Sequence, residues 1–456
     1  MFNSAIVISY LNLMNKYPKI LIITHNSFDH HRNNGKTFNT LFYGWDSTSI
    51  AQLYFSDETP ESSYCKRYFR ITDKDIFNTC FSLKRSKICG GIIQNKVEIF
   101  KKNVNLKRDI FSLLKLSNKG IVLKILRDLL WSTDVWKTQE LIAWLNDFKP
   151  EVVFWGVGES KFSADIAYWI SIYLNIPLCL YYGDDYVLNS NYGGLLKRIQ
   201  HKRIKYFHDR NLNHSKKLFA IGDLMAMQYQ KAYGKEVIVV RTSTDINEPN
   251  SEKGNKSFGE NIILSYVGGL HLDRWRTLVE LGILLNDVQS MIPNEIVLNI
   301  YTLSNPSHSI INKLNKHPLH FCGSVYGTDV NKVMLNSDIL VHVESFDLKY
   351  RKLTSLSIST KIPEYLAVGK CLLFFGPNEV ASIKLISDNN IGITLTDIDT
   401  YNTKIDKLKE ILLDNNKQIM MGCRAQNYAI EKFNRLINNE VLRLNLIDSI
   451  TLDSNI

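Results

Sequence analysis

Short, unbroken apolar blocks alternate with stretches of helical periodicity along most of the chain. The blocks Pro18–Thr24, Glu151–Gly158, Ile176–Tyr182, Lys217–Ile221 and Lys235–Asp245 read as buried strands in the first half. Between them, Ser163–Leu174 reads as a helix with Ser163 at its N-cap. A second helix opens at Asp223 and closes at Gly234. The pattern then repeats. Asn261–Leu270, Ile296–Leu303, Leu319–Val325, Asp338–Glu344 and Cys371–Gly376 are strand-like. Asp273–Leu285, Val330–Asn336 and Glu379–Ser387 are helix-like. Continuous apolar strands alternating with helices predict α/β layers built on parallel sheets. The chain should close with helices over Ile405–Leu413 and Ile419–Leu446.

Residues 247–260 (NEPNSEKGNKSFGE) are polar, contain Pro and Gly and lack apolar periodicity, so they read as a linker. The expected organisation is an N-terminal domain over 1–246, the linker, a C-terminal domain over 261–425, and a helix over 426–456 that packs back on the first domain. The early run AIVISYLNLM is too short to span a membrane and has no basic residues before it, so it reads as an extension ahead of the first strand.

Composition narrows the class. In 456 residues, 45% are apolar, with 23 Gly and 10 Pro, which excludes collagen-like and largely disordered chains. The seven Cys are odd in number, scattered and without a CxxC, which fits a reducing, cytoplasmic setting. The +10 charge is uneven: Lys197–Lys217 holds eight Lys or Arg against Asp209 alone. Lys101–Arg127 is also basic, and there Val122, Ile125, Leu126, Leu129 and Leu130 repeat at helical spacing. Either stretch is a solvated helix face or a surface for an anionic membrane, which would place the protein peripherally on the inner face of the cell membrane. No recognised nucleic-acid motif accompanies the charge, so no nucleic-acid partner is expected.

The run SISTKIPEYLAVGKCLLFFGP, Ser357–Pro377, carries the most chemistry. Ser359 and Thr360 stand where a helix begins, a setting that suits phosphate. Lys361 adds a cation, and Glu364, one turn on, could accept hydrogen bonds from two ribose hydroxyls. His25, Asp29, His30 and His31 match no metal-ligand spacing, and no DxD stands in a convincing setting, so no metal is expected.

This run resembles the nucleotide-sugar signature of GT-B glycosyltransferases, specifically family four and the related group-one families, with Cys371 in place of the family's proline. The resemblance implies two Rossmann-like domains facing across a cleft. It also implies transfer of a sugar from a nucleotide-diphosphate sugar to a hydroxyl acceptor in surface polysaccharide or glycolipid synthesis, with retention and without a cofactor or metal. Partners would be the donor and a saccharide or lipid-linked saccharide.

By the same resemblance, Ser359, Thr360, Lys361 and Glu364 bind the donor. Arg274 and Arg276, in Tyr266–Gly282, neutralise its diphosphate, with Arg274 favoured. Gly323 and Val325 meet the base. Glu344 faces the cleft as a catalytic group, replacing the first Glu of the family's pair, whose position is Leu356 here. In the first half, Gly35 lets backbone approach the donor, flanked by Asn34 and Lys36 on the acceptor side. Asp184 is the catalytic candidate at a strand end, with Asp185 and Glu159 beside the acceptor. Two alternatives stay open: a nucleotide-sugar 2-epimerase, and a non-catalytic carbohydrate- or nucleotide-binding subunit.

Overall fold

The computed structural model describes residues 17–29, 33–81, 89–93, 121–188, 195–244, 246 and 261–451. The N-terminal run, His30, His31, the linker 247–260 and the basic residues from Lys101 to Lys119 lie outside them. The chain divides into two compact units, Met1–Val240 with Asn439–Ile456, and Arg241–Asn438.

The first unit holds an eight-stranded sheet. Its strands are β1 (Ile20–Thr24), β2 (Ile50–Tyr54), β3 (Arg67–Arg70), β4 (Gly91–Ile93), β5 (Val152–Gly156), β6 (Leu178–Tyr182), β7 (Lys217–Ala220) and β8 (Val237–Val239). They are ordered β4-β3-β2-β1-β5-β6-β7-β8, and all pairings are parallel except β3 with β4. β1, β2 and β6 are buried along their whole length, as strands covered on both faces must be. The apolar pattern did not reveal β2, because Gln52 interrupts its run. That side chain is buried yet fully engaged: its amide donates to Thr24 Oγ1 (2.8 Å) and the Asn26 carbonyl (3.1 Å), and its oxygen accepts from Phe28 N (3.0 Å).

The second unit holds a six-stranded parallel sheet of β9 (Ile262–Val267), β10 (Ile296–Tyr301), β11 (Leu319–Gly323), β12 (Ile339–Val343), β13 (Cys371–Phe375) and β14 (Ile393–Leu395). Its order is β11-β10-β9-β12-β13-β14. The direction of winding therefore reverses between β9 and β12. The first sheet reverses in the same way between β1 and β5. Open α/β sheets bind ligands outside the carboxyl ends of the strands at such a reversal.

Several boundaries differ from the sequence reading; the first unit ends at Val240 rather than 246, and three others concern helices. The helix after β5 begins at Lys161 with Ser160 as its N-cap, so Ser163 lies inside it. The expected break at 425/426 falls within the helix Asn415–Lys432. That helix is tied to the second unit, since Gln426 donates to the Ala367 carbonyl (3.1 Å) and Gly422 lies against the Gly369 backbone. The expected single helix Ile419–Leu446 is two, Asn415–Lys432 and Arg435–Thr451. Between them the Asn434 side chain accepts from Leu436 N (2.9 Å) and Ile437 N (3.3 Å), starting the second. From Asn439 onward that helix belongs to the first unit, where Asp448 pairs with Lys217 at 2.6 Å.

Candidate functional site

In the second unit, the loop after β9 and the residue ending β12 meet across the reversal point. Gly268 and Gly269 leave β9 in a tight turn closely approached by the Tyr266 and His271 side chains. A Cβ on Gly268 would lie 2.7 Å from the Tyr266 hydroxyl, and one on Gly269 would lie 2.4 Å from His271 Nδ1. The Tyr266 hydroxyl closes the turn by donating to the Gly269 carbonyl at 2.7 Å. Leu272 and Asp273 then follow with φ of 59° and 57°, two successive side-chain-bearing residues in the left-handed region. The helix Arg274–Gln289 starts immediately afterwards.

Arg274 does not present its charge to solvent. It is 9% exposed, and its guanidinium donates from Nη2 to both oxygens of Glu344 (3.0 and 2.9 Å) and from Nε to Oε2 (3.3 Å). Glu344, 2% exposed, is also bonded by His342 Nε2 at 2.9 Å. Burial alone would raise the Glu344 carboxyl. The Arg274 guanidinium and the His342 hydrogen bond outweigh it and hold the group at about 2. Burial keeps His342 below the ordinary imidazole value, so it stays neutral and donates Nε2–H to the carboxylate. Two sequence expectations change accordingly. Arg274 is committed to an internal carboxylate, and Glu344 is a neutralised, enclosed group rather than an acid facing a ligand. Arg276, two residues on, has a side chain 64% exposed, 3.5 Å from Asp273 Oδ2 and over the Trp275 ring at 5.1 Å.

These shifts set a pH dependence. His342 and the buried His208, both held below 6.5, favour the fold fully above that value, and this contribution fades as the pH falls below it. Glu344, lowered from 4.5 to about 2, contributes above 4.5 and is lost as the pH falls toward 2. Thermal melts should therefore show stability declining as the pH falls below 6.5, with a further loss below 4.5. His208→Gln should flatten the slope that begins at pH 6.5, and an unchanged slope in that variant would contradict the assignment.

The signature run forms a turn over Thr360 and Lys361 and the helix Ile362–Val368. Ser359 Oγ accepts from Lys361 N (3.4 Å), and Lys361 Nζ pairs with Glu364 Oε2 at 3.0 Å, both side chains partly exposed. Tyr365, buried beneath, fastens this helix to the end of β9. Its hydroxyl accepts from Val267 N (2.7 Å) and donates to Val267 O (3.3 Å). The fold thus brings the signature helix to the residue preceding the glycine turn, 98 positions earlier. Gly323 and Val325 lie at the carboxyl end of β11 on the edge of the sheet, with Gly323 O accepting from Thr302 N (2.8 Å) and open space beside its Cα.

In the first unit, three candidates cluster around a residue the sequence did not single out. Tyr186 donates to Asp184 Oδ2 at 3.3 Å, is hydrogen-bonded by the Asn34 side chain, and lies within the field of Glu159. Burial, then the Asp184 and Glu159 carboxylates, push its phenol up, so it stays protonated and a donor. Glu159 itself pairs with Lys124 at 2.6 Å. Its place two residues after Asp184 was the only signal available for Tyr186. Asp185 is a structural group rather than an acceptor contact: it is 2% exposed, and its Oδ1 accepts from Val187 N (3.0 Å), Leu188 N (2.8 Å) and the Tyr229 hydroxyl (2.8 Å). Gly35 is likewise explained by the chain itself. It sits within the helix Asn33–Leu41, and a Cβ there would lie 2.2 Å from Ser27 O, so the close approach seen here is to the loop after β1. Lys36 is partly buried on the same helix.

Among the described residues no cluster of three or more His, Cys, Asp or Glu could hold a metal ion, and no helix is long and apolar enough to cross a membrane. No protein-family model and no curated protein matches the sequence. Solved structures do match. HepE from Anabaena, solved with UDP and glucose, aligns over 94% of this chain and 99% of its own, with 12% identity and a TM-score of 0.57. The sucrose-phosphate synthase from Thermosynechococcus elongatus aligns over 96% and 100%, at 11% identity and TM-score 0.58. WaaG, a glycosyltransferase involved in lipopolysaccharide biosynthesis, aligns over 95% and 99%, at 14% identity and TM-score 0.52. The chain has the GT-B fold. Both Rossmann-like units of this GT-B chain carry candidate groups at the carboxyl ends of their strands, the second with the glycine turn, Arg276, Lys361 and Glu364, the first with Asn34, Tyr186, Asp184 and Glu159.

Proposed function

We propose that the protein is a glycosyltransferase that moves a sugar from a nucleoside-diphosphate sugar to a hydroxyl acceptor, retaining the anomeric configuration and using no metal. The observation that carries this reading is the junction at the reversal point of the second sheet, where Tyr365 pins the signature helix to the end of β9 beside the Gly268–Gly269 turn. On this reading Glu364 takes the donor ribose, Gly323 and Val325 border the base, and Arg276 and Lys361 meet the diphosphate. As the glycosidic bond breaks, negative charge grows on the departing nucleoside diphosphate, and preorganised cations stabilise it there in place of an ion. Ser359 and Thr360, in the turn before Lys361, would supply polar groups to the same phosphates. On the first unit, Asp184, oriented by Tyr186 and Asn34, would hold the acceptor hydroxyl, with Glu159 and Lys36 nearby. The signature resemblance, and structural neighbours solved with UDP and glucose or named for lipopolysaccharide synthesis, support a role in polysaccharide or glycolipid assembly.

A thermal-shift screen of nucleotide sugars tests the donor, since a ligand that binds only the folded state raises its apparent stability. Binding donors should raise the melting temperature in EDTA as well as in magnesium. No shift with any nucleotide sugar, or epimerised sugar formed without acceptor, would overturn the reading.

The basic helix Leu195–His214 supports a membrane-facing first unit. Arg203 and Arg210 are spent on Asp128 (3.0 Å) and Asp165 (2.9 Å) and Lys205 pairs with Asp209 (3.0 Å), but Arg198, Ile199, Lys202, Lys205 and Tyr206 still line an exposed face. Such a mix of cations and amphipathic side chains suits anionic lipid. The protein should float with anionic vesicles in low salt and be released by high salt, and failure to float in low salt removes this part of the proposal.

A further inference from the structure

We propose that Glu344 is a positioning residue: through Arg274 it holds the Leu272–Asp273 turn, and with it the glycine loop after β9, in the conformation that meets the donor diphosphate. This rests on the nucleotide-sugar reading above. It follows from the way the two charges are used. Arg274 gives three hydrogen bonds to one buried carboxylate, so its charge is already met. The Glu344 carboxylate in turn is occupied by Arg274 and by His342, and cannot serve as a base. What the pair leaves available is geometry.

The turn needs such a hold. Leu272 and Asp273 sit at φ 59° and 57°, a conformation that persists in side-chain-bearing residues only where the surroundings over-determine it. The loop is fixed at its start, where Gly268 N donates to Tyr301 O (3.1 Å) and Leu270 N to Ser304 Oγ (3.1 Å). At its far end the side-chain anchor is Arg274, the residue directly after the two left-handed ones. Glu344 is itself immobilised. Its N–H donates to Phe375 O (2.9 Å), its carbonyl accepts from Thr277 Oγ1 (3.1 Å), and Gly376 leaves space for it where a Cβ would come within 2.9 Å of the Glu344 Cβ. A rigid strand end thus sets the position of a strained loop across the reversal point of the sheet.

The test compares wild type with Glu344→Gln, which keeps the shape and removes the charge. UDP, GDP and ADP are titrated calorimetrically at a temperature where circular dichroism shows both proteins folded, and amide exchange is followed over residues 266–275. The expected result is nucleoside-diphosphate binding at least tenfold weaker in the variant, with faster exchange confined to that segment. If Glu344→Gln does not fold, Glu344→Asp, which keeps the charge but shortens its reach, is read in the same way with the same expectation. His342→Asn, which loosens Glu344 without removing the ion pair, should give a smaller loss of about threefold. Unchanged binding in a folded Glu344 variant would overturn the positioning role and leave the transferase reading standing. Absence of binding of all three nucleotides to the wild type would overturn the reading and this proposal with it.

Discussion

Arg274→Met is expected to destabilise the second unit by about 3–5 kcal/mol, because it strands the Glu344 carboxylate in a buried site without its cation. The size of the effect comes from what remains, not from what is lost. A paired buried charge has exchanged its hydration for the guanidinium, and removal of that partner leaves a desolvation cost that His342 alone cannot offset. Adding Glu344→Leu to Arg274→Met should therefore recover most of the loss, since an apolar pair of similar volume carries no such cost. Chemical denaturation of the wild type, the single variant and the double variant checks both statements. A single variant within 1 kcal/mol of wild type, on the order of an exposed pair, would mean that the ion pair is solvated in solution.

The second large effect concerns Glu364→Ala. A carboxylate that accepts two ribose hydroxyls gains roughly 1.5–3 kcal/mol for each charge-assisted bond, so nucleotide-sugar affinity should fall by roughly two to four orders of magnitude. Stability should hardly change, because the Lys361–Glu364 pair is partly exposed and spaced i,i+3, an arrangement worth only about 0.3–0.5 kcal/mol. The combination of a large binding loss with a small stability loss separates a ligand-facing Glu from a merely structural one. Donor binding and melting temperature measured on the same sample decide it, and equal affinity in the variant would remove Glu364 from the site.

Much of the architecture was legible in the chain. Strands such as Leu178–Tyr182 and Cys371–Phe375 are unbroken apolar blocks, and burial on both faces of a parallel sheet is the physical reason. β2 escaped notice because Gln52 looks like an interruption until Thr24, Asn26 and Phe28 are seen to satisfy it. The break at Phe433–Asn434 was hidden because helical periodicity runs through it while an Asn side chain restarts the backbone pattern. The site divides in the same way. Glu364, Lys361 and the glycine turn stand in local runs whose spacing carries meaning. Arg274 and Arg276 are indistinguishable by type, yet two positions on a helix differ by roughly 200°, so one turns into the fold and the other to solvent. Asp184 and Asp185 divide similarly, one beside Tyr186 and the other enclosed by Tyr229 and two backbone amides.

Hydrophobic periodicity and a short polar signature were therefore enough to determine two α/β halves and to single out the run proposed to bind the donor. Only the tertiary structure decided which charges are spent inside the protein. A side chain's helical or strand phase follows from its neighbours in sequence, whereas its neutralising partner, such as Glu344 for Arg274, arrives from 70 residues away once the sheet has formed.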